Sequence, residues 1–377
     1  MQFKDIIGQS KAKSTFQKTV KEGRIAHALI LRGRPGIGKL AFATAMAQMI
    51  NCESPTETDS CGVFASCSKI SKGIHPVVRY VVPIVSTGKD GKPALSDDFF
   101  PSFRDAFFGN PYYPFNEWVA SMEGEAKQVG IRINEIRDLR RKITLKAFEA
   151  KYKVVIFWNA EKINPEAANA MLKLLEEPPE RTIMIMTVSD SSQLLTTINS
   201  RCQRIQMHRV DDQEVAGFLQ EKHHLSPDRA LQVAQLSEGD ISRALELVNE
   251  TNKSIADLYM PWLRLCMKGN YWEVQDWVEG ICKESKEFQK LFIGFALIKI
   301  RDSLLHSFNA FSLSSSTIEE KEFQEKFIKF LNMGSIEKMA KLLEESLYHV
   351  GRNVNPQMVF SVLSLRVHSL FNGKVLI

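Results

Sequence analysis

Gly33-Arg34-Pro35-Gly36-Ile37-Gly38-Lys39-Leu40 is the stretch on which the reading of this chain turns. Its first seven residues fit the phosphate-loop pattern G-x-x-x-x-G-K, in which backbone N–H groups cradle phosphate oxygens and the lysine adds a positive charge. The eighth departs from it. Ser or Thr would hold Mg²⁺ there, and Leu40 ligates no metal. The flanks are those the loop requires: 28–32 has the apolar composition of a short buried strand, and 39–50, rich in Ala and Met, that of a helix. A bare turn beside a surface lysine is the plain alternative, and this strand-loop-helix setting argues against it.

Working outward, 153–158 and 183–188 read as further buried strands, and Asn164-Pro165-Glu166 supplies an N-cap, a proline at the first helical position and an acid in the first turn. The helix so opened ends before Pro178-Pro179. Short apolar runs alternating with helical patterns predict an α/β fold with a parallel sheet covered by helices. Beyond Arg209 strand signals stop and helical spacing continues almost to the end, with a Ser-rich break at 312–317. No internal repeat is visible, and 85–118, rich in Gly, Pro and Phe, reads as an inserted loop.

Hydrolysis of a bound nucleotide needs an acid at a neighbouring strand end to support Mg²⁺ and a group to position water. The two residues after the strand 153–157 are Trp158 and Asn159. Leu40, Trp158 and Asn159 thus remove three parts of the apparatus together, leaving Gly33, Gly36, Gly38 and Lys39 as a degenerate loop able at most to bind ATP or ADP weakly. Glu161 lies past the strand end and is expected to be solvated.

The chain has 377 residues, 44% hydrophobic and 25% charged, with a formal net charge of +5. That is enough for two or three packed domains and too balanced for global disorder. No apolar run approaches the roughly 20 residues of a membrane span, and Met1-Gln2-Phe3-Lys4-Asp5 lacks the apolar core of a signal peptide. A cytoplasmic location without membrane contact is expected. Six cysteines, three of them clustered, suit a reducing compartment better than a disulfide framework.

Gly8-Gln9, Gly23-Arg24-Ile25-Ala26-His27-Ala28, the glycine loop, Asn169-Ala170-Met171-Leu172-Lys173-Leu174-Leu175-Glu176-Glu177-Pro178-Pro179 and Ser200-Arg201-Cys202 together resemble clamp-loader subunits of the AAA+ class. The resemblance covers nearly the whole chain. It is closest to the delta-prime type of the bacterial polymerase III assembly, which has lost the hydrolytic acids and kept Ser-Arg-Cys. It implies an AAA+ P-loop domain over 1–208, carrying the cysteine cluster 52–67 and the insertion 85–118, then a small helical lid over 209–268 and an all-helical collar over 269–377. Asn353-Val354-Asn355 before an apolar helix resembles the collar's ending.

By that resemblance Arg201 is an arginine finger serving a neighbouring subunit's ATP site; a structural arginine at a helix start is the alternative. Cys202 reads as a packed residue, and Ser189 as a phosphate sensor or a strand-end turn residue. The second sensor, an arginine in Gly-x-x-Arg, is displaced: Gly239-Asp240-Ile241-Ser242 puts Ser242 in its place and Arg243 one later. The implied function is a non-hydrolysing subunit that helps load a sliding clamp on primed DNA, with gamma/tau-type and delta subunits as partners. The alternative is a weakly active AAA+ ATPase of the gamma/tau type. No paired carboxylates for nucleotidyl transfer are recognisable, so polymerase activity would belong to the assembly.

Cys52, Cys61 and Cys67 lie where the resemblance implies a four-cysteine zinc module, with Phe64 at the third cysteine's place. Structural zinc wants four ligands. His75 is the nearest substitute, although His75-Pro76 matches a family feature that is not a ligand. Zinc with a missing fourth ligand and three free thiols packed around Phe64 both fit. Finally, 134–151 reads as a helix that bears Arg137, Arg140, Arg141, Lys142 and Lys146, with Ile136, Leu139 and Ile143 as its apolar side and Arg137, Arg140 and Arg141 on one exposed stripe. DNA phosphate contact and a solvated face are both consistent with it.

Overall fold

The computed structural model describes residues 1–86, 93–122, 129–144, 150–189, 194–250, 255–307, 333–352 and 354–371. Lys146, Asn353 and the Ser-rich break at 312–317 lie outside these described residues. Five strands, β1 (Ala28–Arg32), β2 (Val78–Val81), β3 (Lys153–Phe157), β4 (Thr182–Val188) and β5 (Gln203–Gln206), form one sheet in the order β2-β3-β4-β1-β5. Every pairing is parallel. All seven residues of β4, which pairs with both β3 and β1, are buried, which is why it reads as an unbroken apolar run.

The two edge strands carry no such signal. In β5 only Ile205 is buried, and Gln203-Arg204-Ile205-Gln206 has the polar composition of an edge rather than of a core strand. The four residues of β2 include Arg79. Both strands escape a reading based on apolar runs for that reason.

The chain divides into two compact units, Met1–His224 with Ser237–Leu245, and Leu225–Leu236 with Glu246–Ile377. The first holds the sheet with α1 (Ser10–Lys21), α2 (Lys39–Ile50), α3 (Ala65–Ser71), α4 (Ser96–Gly109), α5 (Phe115–Ala120), α6 (Ile133–Thr144), α7 (Pro165–Glu176), α8 (Thr196–Asn199) and α9 (Asp212–His223). Helices α10 (Pro227–Ser237) and α11 (Ile241–Glu250) carry the chain between the units. The second unit continues with α12 (Ile255–Lys268), α13 (Tyr271–Cys282), α14 (Lys286–Ser307), α15 (Met333–Gly351) and α16 (Pro356–Phe371). Its core centres on buried Trp262, which meets Trp277 and Phe292 and donates from Nε1 to Ser364 Oγ at 2.9 Å.

Asn164 caps α7 as expected, its Oδ1 accepting from the Ala167 N–H at 2.8 Å. Ile136, Leu139 and Ile143 of α6 join Ala167, Met171, Leu174 and Leu175 of α7 in one core cluster with the central strands. The helix predicted over 134–151 is corrected: α6 ends at Thr144, and 150–152 are not helical. Thr144 Oγ1 turns back onto Arg140 O, and the Tyr152 N–H donates to Asn51 Oδ1 as the chain enters β3.

The segment 85–118 is corrected as well. It holds α4 and α5, and Phe103, Phe107 and Trp118 are fully buried. Glycine and proline suggested a loop, but Pro101 is accommodated inside α4 while Phe100, Phe103 and Phe107 fall at helical spacing. The start of α4 is moored: the Ser96 N–H donates to buried Glu135 Oε2 at 2.7 Å, and the Val82 N–H donates to Ser96 Oγ at 3.0 Å. Among the described residues no helix is long and apolar enough to cross a membrane.

Candidate functional site

The glycine loop leaves β1 at Gly33, whose N–H donates to Val188 O at the end of β4, and enters α2 at Lys39. Gly36 and Gly38 have φ of +67° and +82°, backbone that glycine adopts freely and side chains strain. Lys39 is buried, and its Nζ donates to the loop's own carbonyls, Gly33 O at 2.8 Å and Arg34 O at 2.6 Å. Burial pulls its ammonium down to about 8, with Glu161 and Asp240 opposing that shift. Leu40 is buried apolar surface.

Asp240 and Tyr112 crowd this loop. Asp240 Oδ1 lies 1.6 Å from where a Cβ on Gly36 would stand, so the carboxylate sits directly on the glycine. The Tyr112 ring comes within 2.7 Å of the corresponding point on Gly38. The Ile241 N–H donates to Gly36 O at 3.1 Å, Ser242 Oγ donates to Tyr112 O, and the Ile7 N–H donates to Tyr112 Oη at 2.9 Å. Ser242 is therefore committed to Tyr112. Arg243 is exposed, and its backbone N–H donates to Asp240 Oδ1 at 3.0 Å. Tyr112 came from a segment read as a loop and gave no signal; Asp240 lay within the quoted Gly239-Asp240-Ile241-Ser242.

Glu161 lies past the end of β3. It was expected to be solvated, and this is corrected: Oε1 accepts from the Ser189 N–H at 3.1 Å, and Oε2 is buried without a hydrogen-bond partner. Asn159 adopts left-handed backbone, φ 49°, and the short 3₁₀ turn Ala160–Lys162 that follows carries the carboxylate back. Burial raises its pKa, with the Ser189 N–H and Lys39 acting against that. Trp158 lies where a metal-supporting acid was sought, in an aromatic group with Phe103 at 5.6 Å, Phe115 at 5.4 Å and Trp118 at 6.3 Å. The helices of 85–118 thus line the strand end with rings.

Arg201 is exposed and follows α8 rather than opening a helix. Its Nε donates to Glu176 Oε1 at 3.0 Å, its Nη2 lies 2.7 Å from the same oxygen, and its Nη1 donates to Thr197 O at 3.0 Å. Cys202 packs against the core cluster, and burial pushes its thiol up to about 11. That is the behaviour of a packed residue, not of a nucleophile.

Cys52, Cys61 and Cys67 come together with all three sulfurs within 4.8 Å of one another. Cys61 Sγ is 3.6 Å from Cys67 Sγ, and the Cys61 N–H donates to Cys52 Sγ at 3.2 Å. The backbone N–H groups of Phe64 and Val63 draw Cys61 down to about 7, while burial pushes Cys67 up to about 12. Phe64 is the N-cap of α3 and 47% exposed, so the thiols do not pack around it. His75 is buried with Nε2 on Ser66 Oγ at 3.2 Å, away from ligation. The donor set fits three corners of a thiolate tetrahedron, and the chain supplies no fourth cysteine there.

On α6, Arg137, Arg140 and Arg141 are all exposed, as the spacing predicts. Arg141 pairs with Asp138 at 3.2 Å, and Lys142 with Asp97 at 2.6 Å. Among the described residues Arg137 and Arg140 have no ion pair.

The family model described as DNA polymerase III, delta subunit, matches residues 8–211. The chain is 25% identical to DNA polymerase III subunit tau of Bacillus subtilis (strain 168) over 261 residues, 68% of this chain and 38% of that protein. It is 31% identical to DNA polymerase III subunit delta′ of Pseudomonas aeruginosa over 177 residues, 47% of this chain and 42% of that one. The chain therefore spans less than half the length of either relative. Among solved structures, the RuvB Holliday junction branch migration motor of Thermotoga maritima is similar with a TM-score of 0.38 and 13% identity, over 67% of this chain and 63% of that one. With more than half of its residues matched by that family model, and the loop, the Glu176-Glu177-Pro178-Pro179 run and Ser200-Arg201-Cys202 all in place, the chain belongs to the DNA polymerase III delta-subunit family of clamp-loader proteins.

Proposed function

We propose that this chain is a delta-prime-type clamp-loader subunit that does not hydrolyse ATP and offers Arg201 to the ATP site of an adjacent gamma/tau-type subunit. The observation that carries this reading is the state of the glycine loop. Lys39 is spent on loop carbonyls, a carboxylate rests on Gly36, and a ring covers Gly38. An incoming phosphate would have to displace Asp240, a like charge, before reaching the loop amides, and Leu40, Trp158 and Asn159 offer Mg²⁺ neither a hydroxyl nor a carboxylate. ATP or ADP binding is therefore weak at best. Arg201, by contrast, is exposed and oriented, and a finger of this kind contributes about 10³ to 10⁵ in rate to the nucleotidases that use one.

The remaining parts of the reading are a cytoplasmic clamp loader with gamma/tau-type and delta subunits, acting on a sliding clamp and primed DNA. Arg137 and Arg140, with Arg141, would track DNA phosphates. In this reading the chain divides into a P-loop domain over 1–208, a lid over 209–268 and an oligomerising collar over 269–377. Zinc at Cys52, Cys61 and Cys67 would take its fourth ligand from outside the cluster.

A weak ATPase is the second reading, favoured by the similarity to tau subunits and by the nearness of Glu161 to Lys39. Mg²⁺-dependent ATP turnover separates the two, measured with primed DNA for the chain alone and mixed with its gamma/tau-type and delta partners. The expected outcome is silence alone and a mixed activity that falls sharply with Arg201→Ala. Turnover by the chain alone, abolished by Lys39→Ala and indifferent to Arg201, would establish the ATPase instead.

A further inference from the structure

We propose that Glu176 is the positioning residue of Arg201, an inference that rests on the finger reading above. All three guanidinium nitrogens are engaged: Nε and Nη2 on Glu176 Oε1 at 3.0 and 2.7 Å, and Nη1 on Thr197 O at 3.0 Å. A guanidinium carries five N–H donors in a rigid fork. Nε and Nη1 each spend one on a hydrogen bond and Nη2 faces the carboxylate as an ion pair, so N–H groups on both Nη atoms remain for an anionic oxygen outside the chain. The plane of the fork is set by two anchors on different elements, the last residue of α7 and a carbonyl of α8. Such a guanidinium is pre-organised, which is what an in-trans donor requires.

Two physical arguments favour positioning over simple stabilisation. An acid at the C-terminal residue of a helix opposes the helix dipole, so Glu176 gains nothing from its own helix and is compensated by Arg201. The pair is also open to solvent, with side chains 38% and 50% exposed, and exposed ion pairs contribute little to folding. The same weakness keeps the contact from sequestering Arg201. A fully buried partner would compete with the neighbour's phosphate, whereas an exposed carboxylate orients the fork and shares it.

The test is steady-state ATP turnover against ATP concentration by the full assembly with gamma/tau-type and delta subunits on primed DNA. The chain is supplied as wild type, Arg201→Ala, Glu176→Ala, Glu176→Gln or the Arg201→Ala/Glu176→Ala double variant, with melting temperatures of the isolated chains alongside. Glu176→Ala is expected to lower the Arg201-dependent part of kcat about 10- to 100-fold with KM unchanged, because misplacing a charge by an ångström costs on that order. Glu176→Gln, which keeps the acceptor oxygen, should recover most of the loss, the double variant should match Arg201→Ala alone, and melting should not move. Full kcat in Glu176→Ala beside a loss in Arg201→Ala overturns the positioning role while leaving the finger. A loss in Glu176→Ala that adds to that of Arg201→Ala overturns it too. No effect of Arg201→Ala removes the finger reading itself and the inference with it.

Discussion

Leu40, Trp158 and Asn159 each stand where nucleotide chemistry wants a polar or charged group, and each has been absorbed by packing or backbone hydrogen bonding. Leu40 and Trp158 are buried among apolar neighbours, and the Asn159 N–H donates to Thr187 Oγ1 at 2.9 Å. Phe64 is the opposite case: a half-exposed ring at the start of α3. Completing the set should therefore be tolerated. Phe64→Cys is expected to give a four-thiolate Co²⁺ spectrum, with more intense d–d and charge-transfer bands than wild type, and to tighten zinc at least tenfold in a chelator competition. Identical spectra for the two proteins would mean that position 64 does not face the sulfurs. These three positions were legible from the pattern they break. Glu161, Asp240 and Tyr112 were not, because nothing in a sequence tells a solvated carboxylate from one folded back over a strand end.

At the scale of elements, α4 carries the largest departure from expectation. Phe103 on this helix is fully buried between Tyr80 of β2, Phe107, Trp118 of α5 and Trp158 beyond β3, at ring distances of 5.6 to 5.7 Å. It ties the segment to the strand end beside the glycine loop. Phe103→Ala should destabilise by about 3 to 5 kcal/mol, the usual cost of emptying a buried phenylalanine site, read as a lower midpoint in urea unfolding. A change below about 1 kcal/mol would mean that the aromatic group is not a packed core. The central strands β1, β3 and β4 were visible as apolar runs because both their faces are covered, whereas β2 and β5 were hidden by the polar residues an edge strand carries. Helix α2 matched its expected bounds because the loop before it and its Ala-rich run are both local signals.

Over the whole molecule, the unit that holds the sheet is discontinuous: the chain leaves it after His224 and returns for Ser237–Leu245. The returning stretch carries buried Ile241 and Ala244, and its Ile241 N–H closes on Gly36 O. A fragment ending at His224 should therefore be less stable than one ending at Leu245. The deficit is about 3 kcal/mol, from burying one isoleucine and making two hydrogen bonds, with urea midpoints as the measure. Equal midpoints would show that the return contributes nothing. The sequence by itself determined the fold class, the missing metal ligands and the family, because strand burial, helix caps and a phosphate loop are written in residues close together along the chain. Only the tertiary structure decided that Asp240 and Tyr112 cover the loop, that Glu161 turns inward and that Glu176 holds Arg201. Those partners lie 25 to more than 200 residues apart in sequence, and no local pattern encodes which distant side chains a parallel sheet will bring to one strand end.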